Sequence, residues 1–222
     1  YLVGGTWRAL FKLHLFQNNH PVHIIHQYSI DNNVLSKFVE KISSFNKSKL
    51  KTVEYISKSR TAYLPYSCII LDEIMRVTNP RNIICSISGL REGSLSIDYF
   101  KDVKESEIFY KALENIAKKR GDLGSNYKKY YDFIQPVFEG NEHFNKKLLY
   151  LACVLSHMDW GLGAFQKAEL VFQETINTPL LRLTHKERIQ LALSCYWRYC
   201  SIKYNPKMEY LCLLYTSDAA DE

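Results

Sequence analysis

Residues 82–95 read NIICSISGLREGSL. The near-continuous apolar run from Ile83 to Ile87 is short, β-branched and bounded by turn formers. That pattern fits a strand covered on both faces, as in a parallel sheet. Behind it, Gly89 and Gly93 flank Arg91 and Glu92. Arg carries a rigid fork of N–H donors suited to carboxylate or phosphate, and flanking glycines let it sit at the end of a sheet. An Arg–Glu pair pinning the sheet to the next helix accounts for the same residues equally well.

Working back from this run, strand and helix signals alternate. Tyr1, Leu2 and Val3 read as the end of a buried strand, so the chain is expected to be the rear part of a longer protein. Gly4 and Gly5 form a turn. Thr6 is the expected cap of a helix through about Asn18, whose apolar residues surround most of its circumference. Pro21 ends that helix, and VHIIHQYSI (residues 22–30) reads as a strand. Asp31 caps a helix with Val34, Leu35, Phe38, Ile42 and Phe45 at helical spacing. SRTAYLPYSCIILDEIMRVTNP (residues 59–80) holds another, with Pro65 in its first turn, Cys68, Leu71 and Met75 on one stripe, and Ile70 and Ile74 beside it. Strands alternating with helices predict an α/β layer over residues 1–98.

Beyond Asp98 the strand signals stop, and residues 99–211 read as an all-α domain. ESEIFYKALENIAKKRG (residues 105–121) ends on a basic turn with Gly121 as its stop. HFNKKLLYLACVLSHM (residues 143–158) and THKERIQLALSCYWRYC (residues 184–200) carry similar stripes, the latter opened by Thr184 and Glu187 at capping-box spacing. The close, CLLYTSDAADE (residues 212–222), looks like a translated sequencing adapter and is set aside as an artefactual tail.

The 222 residues are 46% apolar with a formal charge of +6, which suits real cores and an anionic partner. No run approaches the roughly eighteen apolar residues of a membrane span. The cysteines lie in apolar segments without CxxC spacing, which suits reduced core thiols and a cytoplasmic location. Neither histidine-containing motif builds a metal centre. In HPVHIIH, a strand would turn His23 and His26 to opposite faces, with His20 beyond them. In SHMDW (residues 156–160), His157 and Asp159 are separated, His143 and His185 lack matching acids, and Asp159 reads as a capping residue before Gly161. VGGT (residues 3–6) is backbone chemistry: two glycines let the chain approach a ligand, and the next helix offers free N–H groups to phosphate. A purely structural turn has the same sequence.

In their order and spacing, VGGTWRAL, HIIHQYSI, SRTAYLPYSCIIL and SISGLREGSL resemble the exopolyphosphatase and guanosine pentaphosphate phosphatase family, Ppx/GppA. LLYLACVLSHMDW and LALSCYWRYC extend the resemblance into the helical half. The resemblance implies the rear part of the second lobe of an actin-like ATPase (ribonuclease H-like) fold, then a helical, HD-like domain. It implies removal of terminal phosphate from polyphosphate or guanosine pentaphosphate with Mg²⁺, and places Gly4, Gly5 and Thr6 at the substrate. Gly89, Arg91, Glu92 and Gly93 take the part of lobe-closing support. The family's catalytic base and metal ligands match none of the residues here, so this polypeptide is expected to be inactive. A noncatalytic sensor of polyphosphate or nucleotide is the alternative. Neither membrane nor nucleic acid is an expected partner, and a homodimer is the oligomeric state the resemblance suggests.

Overall fold

The computed structural model describes residues 1–45, 56–121, 126–142, 144–157, 161–178, 183–201 and 205–216, and the chain divides into two compact units, Tyr1–Tyr99 and Phe100–Glu222. It is mostly helical, with one small sheet in the first unit: an α/β segment followed by helices.

The sheet has three strands in the order β1-β3-β2: β1 (Leu2–Val3), β2 (Ser29–Asp31) and β3 (Asn82–Ser86). The apolar run of residues 83–87 is the central strand. β1 pairs with it in parallel, Leu2 opposite Cys85 and Val3 opposite Ser86, whereas β2 pairs antiparallel, Ile30 opposite Ile83. The sheet is therefore mixed, and Ile87 lies just past the strand, exposed.

Helix α1 (Gly5–Gln17) begins two residues earlier than expected. Its N-cap is Gly4, at φ 139° and ψ 159°, and Thr6 sits inside the first turn. That backbone region is essentially closed to residues with a Cβ. As its sequence implies, α1 is buried on several sides, with Ala9, Leu10, Phe11, Leu13, His14 and Leu15 all covered. Asp31 caps α2 (Asn32–Ser43), its carboxylate accepting from the N–H groups of Asn33 and Val34 at 2.8 and 3.4 Å. Leu35, Phe38 and Ile42 join the core, and Val39 joins them, while Val34 is exposed.

After a single turn, α3 (Lys58–Thr61), comes α4 (Leu64–Thr78), with Pro65 in its opening turn as read. Cys68, Leu71 and Met75 are buried against α1 and α2, and Ile70 and Ile74 face outward. Asn79, at φ 40°, ends the helix ahead of Pro80.

VHIIHQYSI is not a continuous strand. Only Ser29 and Ile30 of it pair in β2, because Gln27 takes a left-handed conformation, φ 60°, that breaks the extended run. The segment still lies along β3: the Gln27 N–H donates to the Cys85 carbonyl at 2.8 Å, and the Cys85 N–H donates to Tyr28 at 3.0 Å. The second difference is α5 (Leu90–Tyr99), a helix where the sequence reads as a turn around Arg91 and Glu92. None of its residues is buried, so it lacks the apolar stripe that betrays a helix in sequence.

The second unit contains α6 (Glu105–Lys119), α7 (Tyr127–Ile134) with a 3-10 turn over Gln135–Phe138, α8 (Lys146–Leu155), α9 (Ala164–Asn177), α10 (His185–Trp197) and α11 (Pro206–Thr216). Gly121 follows α6 at φ 55°, as its stop signal implies. The Thr184–Glu187 capping box forms in full. α9 and α10 pack closely, with Phe172 edge-on to Tyr196. Residues 212–216, read as part of a tail, continue α11, where Met208 and Leu211 are buried and Gln190 donates to the Tyr215 carbonyl. Residues 217–222, together with His143 and Asp159, lie outside the described residues.

Two substitutions test these local arguments. Gly4→Ala forces a Cβ into a glycine-only conformation and is expected to cost about 1–3 kcal/mol in a denaturant titration. Asp31→Ala removes the α2 cap and should cost about 1 kcal/mol by the same measurement.

Candidate anion-binding site

The register of β1 on β3 brings two carboxyl ends level. Val3 leads through Gly4 into α1, and Ser86, its partner, leads through Ile87, Ser88 and Gly89 into α5. Helix N-termini leave N–H groups without carbonyl partners, and ligands of α/β sheets gather outside the carboxyl ends of strands.

The two termini are not equivalent. At α5 the Glu92 carboxylate accepts the Gly89 N–H at 2.6 Å. Its own backbone N–H, then that of Gly89, holds the Glu92 carboxyl below the usual range. At α1 the N-cap is Gly4, which has no side chain to cap the first turn. Its opening N–H groups, at Gly5, Thr6 and Trp7, have no i−4 carbonyl partner within the helix and no cap from Gly4.

Cationic side chains surround this end. Arg8, in the second turn of α1, donates through Nε to the Ser86 carbonyl at 3.1 Å, stitching the two loops together. A Cβ on Gly89 would come within 3.8 Å of Arg8 Nη2 and 3.9 Å of Val3 Cγ1. Arg60, from α3, lies over Gly5: a Cβ there would stand 2.9 Å from both Cζ and Nη2 of its guanidinium. Gly5 is thus the position that lets a guanidinium rest against the start of α1. A cation at the positive end of a helix dipole is unfavourable by itself and favourable once an anion lies between them.

Of the residues singled out in the sequence, Gly4, Gly5 and Thr6 form the α1 terminus, and Gly89 joins them through Arg8. Arg91 and Glu92 occupy the first turn of α5, both exposed, and Gly93 follows inside that helix. Arg8 and Arg60 are the functional candidates that sequence reasoning passed over. Each is a single basic residue with no motif of its own, and only folding brings it to the glycine turn. Mg²⁺ takes several oxygen ligands in octahedral geometry, and this set offers one carboxylate, already committed to Gly89. These residues do not fit a Mg²⁺ site.

The histidines of HPVHIIH disperse. His20 packs near Tyr28, the His23 ring lies tilted against Phe16 at 4.1 Å, and the His26 ring meets the Ile87 N–H. Among the described residues no group of three or more His, Cys, Asp or Glu side chains is arranged to hold a metal. In the second unit, His157 stacks on Tyr130 at 4.7 Å. Arg198 donates to Ser156 Oγ at 2.9 Å, Arg120 donates to the Leu155 and His157 carbonyls, and the Tyr199 hydroxyl donates to that of Ser156. Burial, then Arg198 and Arg120, lower the His157 pKa. These groups cap the carbonyl end of α8, where cations belong structurally. His185 opens α10, buried, with its ring 5.8 Å from Tyr215. Burial raises the thiols of Cys68 and Cys195 to about 12 and Cys85 to about 11, values of unreactive core thiols.

Among the described residues no helix is long and apolar enough to cross a membrane. No curated protein matches this chain. Residues 1–99, the span of the first unit, match the family described as the Ppx/GppA phosphatase family. The likeness to the Ppx/GppA phosphatase family thus covers the unit in which the glycine turn and the Gly-Leu-Arg-Glu-Gly helix start stand side by side.

Proposed function

We propose that the first unit seats the terminal phosphates of a phosphoanhydride, inorganic polyphosphate or guanosine pentaphosphate, at the uncapped start of α1. The observation that carries this reading is the Arg60 guanidinium lying against Gly5 at a helix terminus without a capping side chain. Main-chain N–H groups and a planar guanidinium together match the charge and geometry of a phosphoryl oxygen set. Arg8 positions the second loop, so Gly89 stays close to the same seat.

In this reading the unit is the rear of the second lobe of an actin-like ATPase fold, and the helical unit is an HD-like scaffold. The chain acts in the cytoplasm, and the family's homodimer is its oligomeric state. Hydrolysis requires a carboxylate base and Mg²⁺ to neutralise charge on the transferring phosphoryl group. Near the seat the one carboxylate described, Glu92, is held on a backbone N–H. This chain by itself therefore binds the anion without releasing phosphate.

Trp7, in the first turn of α1, is the natural reporter. Tripolyphosphate added to the purified chain should change its fluorescence, with affinity falling by roughly an order of magnitude from low to moderate salt as charge is screened and counterions are released. Arg60→Gln should weaken this binding about tenfold or more. Because it removes a cation from a helix N-terminus, it should also slightly raise the melting temperature of the ligand-free chain. Equal binding by wild type and Arg60→Gln would reject the seat, and phosphate released by the isolated chain would reject the passive role.

A further inference from the structure

The C-terminal end of α1 carries a different device. His14, in its last turn, is only 6% exposed, with both ring nitrogens engaged. Asn18 Nδ2 donates to the His14 carbonyl at 2.8 Å, which sets the amide's orientation. The same Nδ2 lies 3.2 Å from His14 Nε2, so that nitrogen accepts. The ring proton is then on Nδ1, facing the Tyr28 hydroxyl at 3.2 Å. Burial raises the Tyr28 hydroxyl to about 12, so it stays neutral. The ring of Phe38, from α2, packs against the imidazole at 4.9 Å.

From Tyr28 the connection runs to β3 and the Gly89 loop. The Tyr28 carbonyl and Gln27 N–H bond Cys85, and one residue earlier the buried His26 presents Nδ1 to the Ile87 N–H at 3.4 Å. Both imidazoles thus stand as hydrogen-bond acceptors, a role that an imidazolium cannot play.

We propose that His14 and His26 form a proton-sensitive latch: neutral, they hold residues 18–28 on β3 and on the loop leading to Gly89, and protonated, they release them. The charges near His14 oppose its protonation. His20 lies beyond Tyr28 and repels it, His23 acts on His20 in the same sense, and Lys41 of α2 is bonded to Gln17 on the adjoining turn. Phe38 brings no charge. Arg8, bonded to the Ser86 carbonyl, is a charged group on the residue next to the His26 contact. The α1 C-terminus favours a cation at His14. Burial, and after it His20, outweighs that pull and lowers the His14 pKa. A His depressed on folding binds fewer protons in the folded state than in the unfolded one. Its stabilisation is therefore whole above about pH 6.5 and declines as pH falls through that value toward the folded pKa.

The test is amide hydrogen exchange on the whole chain at about pH 7.5 and about pH 5.5, each corrected for intrinsic rates. Protection at Gln27, Cys85 and Ile87 should fall about tenfold at the lower pH, while Leu35–Ile42 of α2 holds. The double variant His14→Gln, His26→Gln keeps amide acceptors that do not titrate and should show no such fall. Unchanged protection in wild type, or the same fall in the variant, overturns the latch. If the variant fails to fold, an NMR titration of the His14 ring in the wild type replaces it. Opening that tracks His14 protonation supports the proposal, and protonation without opening defeats it. The phosphate seat does not enter this readout, so either proposal can fail alone.

Discussion

Two backbone pairings, Leu2 with Cys85 and Val3 with Ser86, are the constraint on which the first unit turns. Parallel pairing makes both strands run out at the same edge, so the turns that follow must emerge together. Each turn carries a glycine at the close approach: Gly4 takes a backbone angle that a Cβ forbids, and Gly89 packs within reach of Val3 and Arg8. Arg8 secures the arrangement by bonding the last carbonyl of β3 from within α1. Loss of register by one residue would turn Cys85 from the core and separate the two loops.

The same edge shows how a fold separates structural charge from available charge. Glu92 closes the α5 terminus, whereas the α1 N-cap, Gly4, has no side chain with which to close its own. The neighbouring Arg60 therefore faces a positive helix end across Gly5. In the second unit the arrangement is reversed, with Arg120, Arg198 and Tyr199 gathered around the end of α8, where carbonyls point outward. There cations complete a helix, whereas at α1 they leave one incomplete. This contrast explains why clusters of similar composition support different readings.

Features set by near neighbours were legible in the sequence. Asp31 reaches N–H groups two and three residues ahead, Thr184 and Glu187 bond each other, and Pro65 and Gly121 act through their own backbone angles. The buried stripes of α1, α2 and α4 followed from period. What failed depended on partners far along the chain or on missing burial. VHIIHQYSI has a strand's composition, but its run is broken at Gln27 while it lies along β3. α5 has no buried face to announce it.

The sequence by itself determined the central strand, most helix starts and stops, and the likeness of residues 1–99 to the Ppx/GppA phosphatase family. These are short-range choices of backbone angle and apolar period, which each segment carries within itself. Only the tertiary structure decided that Arg8 and Arg60 meet the diglycine turn, that Glu92 serves α5, and that His14 and His26 both accept hydrogen bonds along one segment. Those outcomes join residues tens of positions apart, and such proximity arises from strand register and helix packing.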